Sequence, residues 1–97
     1  MRVLAVAASL FYVKPKRLLE RDRHEDLARA RWVAMWLLNR RHWKAGKIAL
    51  FLGLDRTTVI YGLRRVANDH ELLVAAHKAE LMLADDPAAH SEASSAA

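Results

Sequence analysis

Lys44-Ala-Gly-Lys-Ile-Ala-Leu-Phe-Leu-Gly-Leu-Asp-Arg-Thr-Thr-Val-Ile-Tyr-Gly-Leu-Arg-Arg65 decides the fold of this chain. It reads as a short helix, a tight turn at Gly53 and a second helix over 56–67 opened by Asp55. Ala49 is small enough for two helix backbones to cross closely, and Gly53 can take a positive φ at the turn. Val59, β-branched, fills the gap between the helices. This pattern is a helix-turn-helix, whose second helix enters the DNA major groove. On that helix Val59, Gly62, Leu63 and Val66 project to one side at ~100° per residue, and Thr57, Tyr61, Arg64 and Asn68 to the other. Gly62 costs roughly 1 kcal/mol against alanine in a helix, which implies close packing against a neighbour. The Asp55 carboxylate is suited to capping. Lys44, Ala45 and Gly46 begin the first helix, whose free N–H groups suit a phosphate, with Lys44 and Lys47 beside them.

Outward from this stretch, the remaining elements also read as helices. Val3, Val6, Ala7, Leu10 and Phe11 recur at helical spacing over 2–12. Lys14-Pro15 breaks that helix, and Pro15 suits the first position of another short one with Leu18 and Leu19 inward. Glu20-Arg-Asp-Arg-His-Glu-Asp26 carries no apolar residue. It is either a solvated linker of compensating charges or an arm whose Arg21 and Arg23 lie along a narrow minor groove. The longest helix spans 25–40, with Leu27, Ala30, Ala34, Leu37 and Leu38 on one stripe and Val33 and Met35 widening it. Acidic residues open it and Arg40-Arg41 close it, as the helix dipole favours. Trp32 and Trp36 fall opposite the stripe. Either the first or last helix covers them as a second core face, or they form an exposed patch for a protein partner. A last helix over 69–84 is capped by Asp69 and carries Leu72, Leu73, Ala76, Leu81 and Leu83. The fold class is therefore all-α, five to six helices around a central helix-turn-helix. Residues 1–84 form one domain, and 85–97 offer nothing to bury and read as a disordered tail.

Composition narrows the function. The chain has 97 residues and no cysteine, so it has neither a disulfide framework nor a thiolate metal site. No run approaches the ~18 apolar residues of a membrane helix. Arg2 and the apolar run after it resemble a signal peptide only faintly, because no small-residue cleavage site follows. The net charge of +5 is uneven. Residues 1–65 hold 15 Lys and Arg against 5 Asp and Glu, whereas 66–97 hold 1 against 6. A basic body of this kind suits a polyanion. The five histidines are scattered, and His70 and His77 lack a third ligand at helical spacing. With no Ser/His/Asp pattern and no Gly-rich phosphate loop, the sequence predicts no catalytic residue, no metal and no cofactor.

Asp55-Arg-Thr-Thr-Val59, preceded by Phe51-Leu-Gly53, is similar to the Asp-His-Thr-Thr-Val signature of the DNA-binding C-terminal domain of DnaA, the bacterial replication initiator. The likeness continues through Ala28-Arg-Ala-Arg-Trp-Val-Ala-Met-Trp-Leu-Leu38 and through Val3 to Leu19, which resembles the domain's opening helix and Val-Ser-Pro-x-x-Leu turn. The resemblance implies that Arg23 inserts into the minor groove and that Arg31 contacts a phosphate. It implies that Asp55, Thr57 and Thr58 read bases of a DnaA-box-like site. A carboxylate can accept from cytosine N4, and threonine methyls can pack on thymine methyls. Capping and base reading compete for the one Asp55 carboxylate. Two positions depart from the family: Arg56 stands where it has histidine, and Leu54 where it has arginine. Arg56 offers a bidentate donor in exchange. Nothing resembles the nucleotide-binding loop of the complete initiator.

The expectation is thus a free-standing small protein, cytoplasmic and nucleoid-associated, that binds double-stranded DNA sequence-specifically without nucleotide. It would regulate replication initiation, competing with the initiator, or transcription. The expected DNA-binding residues are Arg21, Arg23, Arg31, Lys44, Lys47, Asp55, Arg56, Thr57, Thr58, Tyr61 and Arg64. A second reading, of a different class, is a protein-interaction module docking on replication proteins through Trp32 and Trp36 or the C-terminal helix.

Overall fold

The computed structural model describes residues 2–22 and 24–84, so Arg23 and the expected tail at 85–97 lie outside the described residues. The fold is all-helical: α1 (Arg2–Leu10), a 3-10 turn (Pro15–Leu19), α2 (Glu25–Arg40), α3 (Ala45–Leu52), α4 (Arg56–Ala67) and α5 (His70–Ala84). No strand occurs among the described residues.

Helix α2 is the hub, in contact with every other element. Its ends follow from local chemistry. Glu25 and Asp26 fill the first turn, the His24 side chain accepts from the Asp26 N–H at 3.4 Å, and Arg40 lies in the last turn. Leu27, Ala30, Val33, Ala34, Met35, Leu37 and Leu38 are all buried, so the apolar stripe is wide enough to carry helices on several sides. Helix α5 is fastened to α2 by Arg41, which donates to Glu80 at 2.8 Å and to the Leu37 carbonyl at 2.9 Å. Asp69 caps α5 by accepting from the Leu72 N–H at 3.2 Å.

The α3–α4 pair forms as its sequence predicts. Gly53 sits in the left-handed region with φ +69 and ψ 35, and the Leu54 N–H closes the turn on the Ala49 carbonyl at 2.9 Å. Ala49 and Val59 are buried between the helices. Where α4 crosses α2, Gly62 leaves no room for a side chain. A Cβ there would stand 2.5 Å from Met35 Sδ and 2.6 Å from Trp32 Cδ1.

Four details differ from expectation. Helix α1 stops at Leu10 rather than 12, because the chain turns back through Tyr12 at φ +59 and the Val13 N–H donates to the Ala8 carbonyl at 3.1 Å. Leu18 is fully buried but Leu19 is 48% exposed, since a single 3-10 turn presents only one position inward. Trp32 is covered by α4, not by the first or last helix, and Trp36 is half-buried against the core. Asp55 occupies the N-cap position of α4, yet its carboxylate makes no capping hydrogen bond.

Gly62→Ala should overpack the α2–α4 crossing. The indole carbon is held by its own ring, so relief is costly, and the gain of roughly 1 kcal/mol in helix propensity offsets only part of the strain. We expect a net loss of about 1–2 kcal/mol in urea denaturation, with Ala67→Gly, at an exposed helical position, as a propensity control.

Candidate nucleic-acid interface

The outer side of α4 begins at its free first turn. Asp55, Arg56, Thr57 and Thr58 are all exposed there, and their side chains have no hydrogen-bond or ion-pair partner among the described residues. One and two turns further along lie Tyr61, Arg64 and Arg65, also exposed. With Asn68 and Asp69, these three line an open depression of about 390 Å³. The opposite side of α4, formed by Val59, Gly62 and Val66, is buried. The helix thus presents donors, methyl groups and one carboxylate on the side facing away from the core.

Trp32 supports this surface from beneath. Its indole meets Tyr61 edge-on at 6.0 Å between ring centroids, and the Arg65 guanidinium lies 4.9 Å above the same ring. Arg65 was not among the residues expected from the sequence. The only signal for it was its spacing of four from Tyr61, which is meaningful once α2 is known to lie under both.

On α3, Lys44 is exposed at the N-cap position, and Ala45, Gly46 and Lys47 follow in the first turn. The Lys47 ammonium lies 4.1 Å over the Trp43 ring, which packs edge-on against Phe51 at 5.5 Å. Leu54, standing where the family has arginine, is half-buried against the core.

Arg31 is turned inward. The resemblance implies a phosphate contact, but the side chain is only 7% exposed. Its guanidinium donates to four backbone carbonyls: Leu18 at 3.0 Å, Asp22 at 2.6 Å, Arg17 at 3.2 Å, and Glu20. A planar fork of donors suits this cluster of acceptors, and lysine could not span it. Burial lowers the Arg31 pKa from its ordinary value, while the nearby Asp22 and Glu20 carboxylates oppose that shift.

The clamp orders the segment that leads into α2. Asp22 accepts from the His24 N–H at 2.9 Å and pairs with Arg17, which also lies 3.1 Å from Glu20. The Asp22 carboxyl is held below its ordinary value, chiefly by that His24 N–H, against a smaller desolvation effect and with further help from Arg17. Residues 17–22 and His24 are therefore pinned rather than a solvated linker. Arg21 is exposed at the outer edge of the pinned segment.

Among the described residues no group of three or more His, Asp and Glu gathers to hold a metal ion, and no helix is long and apolar enough to cross a membrane. A family model described as the bacterial DnaA protein helix-turn-helix matches residues 1–66, from α1 to the last turn of α4. No curated protein matches the chain.

Two expectations follow from the clamp. Arg31→Gln should cost about 2–4 kcal/mol of folding stability, because it leaves buried carbonyls without donors. Arg31→Lys should recover little of this, and a purely phosphate-contacting arginine would instead leave the urea midpoint unchanged. The stability supplied by Asp22 is present above the ordinary carboxyl value of 3.8 and is lost as pH falls through its lowered pKa. An NMR titration should show the His24 amide losing hydrogen-exchange protection on that acid limb.

Proposed function

Because this chain belongs to the bacterial DnaA helix-turn-helix family, a DNA-binding and not a catalytic domain, we propose that it reads double-stranded DNA sequence-specifically and without nucleotide. Helix α4 lies in the major groove with its N-terminal end against the base edges. The observation that carries this reading is the free first turn of α4, where Asp55, Arg56, Thr57 and Thr58 have no internal partner. An Asp55 carboxylate unused as a cap remains available to accept from cytosine N4, and the Thr57 and Thr58 methyls to pack on thymine. Arg56 reaches guanine or a phosphate through two parallel donors. Tyr61 and Arg64 continue the contact along the groove.

Other cations hold the protein to the backbone. Lys44, Lys47 and the first N–H groups of α3 suit one phosphate strand. Arg21, with Arg23, approaches the adjacent minor groove from the segment that Arg31 fixes. In this reading Arg31 serves binding indirectly, by holding the backbone of residues 17–22 that carries Arg21.

The family's role supports a regulatory function at replication initiation, through competition with the initiator for DnaA-box-like sites, or at a promoter. Leu54 and Arg56 shift the preferred site away from the standard box. The first removes a phosphate donor and the second introduces a new base donor.

Selecting bound duplexes from a random library tests the proposal most directly. It should enrich a single short motif related to the DnaA box, and enrichment of no motif would sink the sequence-specific reading. On the enriched site, affinity should fall steeply between low and moderate salt. Thr57→Ala should cost ~1–3 kcal/mol on that site and little on random DNA, whereas Lys44→Ala should weaken both alike. Fluorescence anisotropy with the two duplexes separates these outcomes.

A further inference from the structure

We infer that Arg65, seated over Trp32, is a clamp for a backbone phosphate at the rim of the major groove, and that Trp32 is the residue that positions it. The inference rests on the proposed docking of α4 and adds a contact that the base-reading residues do not make. Arg65 follows Thr58 by seven residues, two turns of helix with a drift of about 20°. It therefore lies on the same outer stripe as Thr57, Thr58 and Tyr61, about 10 Å further along the axis than Thr58. The major groove is about 12 Å wide and 8.5 Å deep, so its phosphate rim stands roughly 10 Å from the middle of its floor. With the first turn of α4 at the floor, Arg65 reaches the rim, where the duplex offers an anion and no base edge.

Arg65 is equipped for that position. It is exposed, and among the described residues its side chain has no hydrogen bond and no ion pair. Its guanidinium lies 4.9 Å from the centroid of the Trp32 ring. That attraction uses the charge and none of the N–H donors, so two parallel donors remain for two phosphate oxygens. The indole beneath is itself confined. Its Cδ1 lies only 2.6 Å from where a Cβ on Gly62 would stand, and Tyr61 meets the ring edge-on at 6.0 Å. A guanidinium held by a confined ring loses less freedom on binding than one that moves freely in solvent. The surroundings also favour an anion. Arg64, likewise without an ion pair, lines the same depression, and Asp69 is its one carboxylate. That carboxylate already accepts from the Leu72 N–H at 3.2 Å. Two guanidinium groups against one carboxylate leave the depression positive.

Fluorescence anisotropy of the full chain on a random-sequence duplex, over a series of salt concentrations, tests the clamp apart from any base preference. Arg65→Gln should lower affinity about fivefold and reduce the slope of log affinity against log salt by about one. Arg65→Lys should restore the slope, because the charge returns, but only part of the affinity, because the paired donors do not. Trp32→Phe should cost about threefold with Arg65 present and almost nothing in the Arg65→Gln background. Working well below the urea transition of each variant keeps a folding loss from imitating a binding loss. An unchanged slope for Arg65→Gln overturns the clamp and leaves the base reading by α4 standing. An equal cost of Trp32→Phe in both backgrounds overturns the positioning role. A native chain with no affinity for duplex overturns the docking of α4 and the clamp together.

Discussion

The direction of helix α4 depends on one absent side chain. At Gly62 the backbone of α4 lies so close to Met35 and Trp32 that no Cβ fits, and this contact fixes how α4 crosses the hub helix α2. The same indole that meets Gly62 also carries Tyr61 and Arg65. Core packing and the outer surface of α4 are therefore one continuous arrangement. A disturbance at the crossing reaches two exposed side chains through a single ring. The glycine is unfavourable as a helix residue and favourable as a joint, and the joint prevails because no larger residue permits this approach.

Arg31 performs a comparable task at the other end of α2. Burying a guanidinium costs several kcal/mol unless its donors are met, and here they are met by carbonyls of residues 17–22. Those carbonyls belong to a 3-10 turn and a charged segment with one large buried side chain, Leu18, to hold them. A single ion compensates for the apolar contacts the segment lacks. Asp22, Glu20 and Arg17 close a small network around it, so the entry to α2 is set by polar chemistry while its remaining length is set by packing.

What the sequence made legible follows from how local each cause is. The turn at Gly53, the spacing of Ala49 and Val59, and the acidic start and basic end of α2 act within a few residues, and all lie where they are expected. Causes that act across the chain were not legible. The acceptors for Arg31 lie 9 to 14 residues away, so spacing alone gave no hint that the side chain turns inward. Trp32 reads as an outlier from its own helix, and only the crossing of α4 explains it. Asp55 and Asp69 stand in similar positions before a helix, yet only the Asp69 carboxylate accepts a capping hydrogen bond. Residue type and position suggest both caps equally. The side-chain geometry separates them.

Under the proposed function, the uncommitted carboxylate of Asp55 also bears on how the protein searches along DNA. A fixed negative charge at the leading edge of a basic surface opposes contact with every polyanion, whatever its sequence. In the proposed complex, lysines and arginines elsewhere would keep the molecule near the polymer, while Asp55 would shorten its stay wherever no amino hydrogen is offered. Capture and rejection are thereby assigned to different groups. Added salt screens both charge effects alike, but a carboxylate stripped of water without a donor still costs free energy, so part of the rejection persists as occupancy falls.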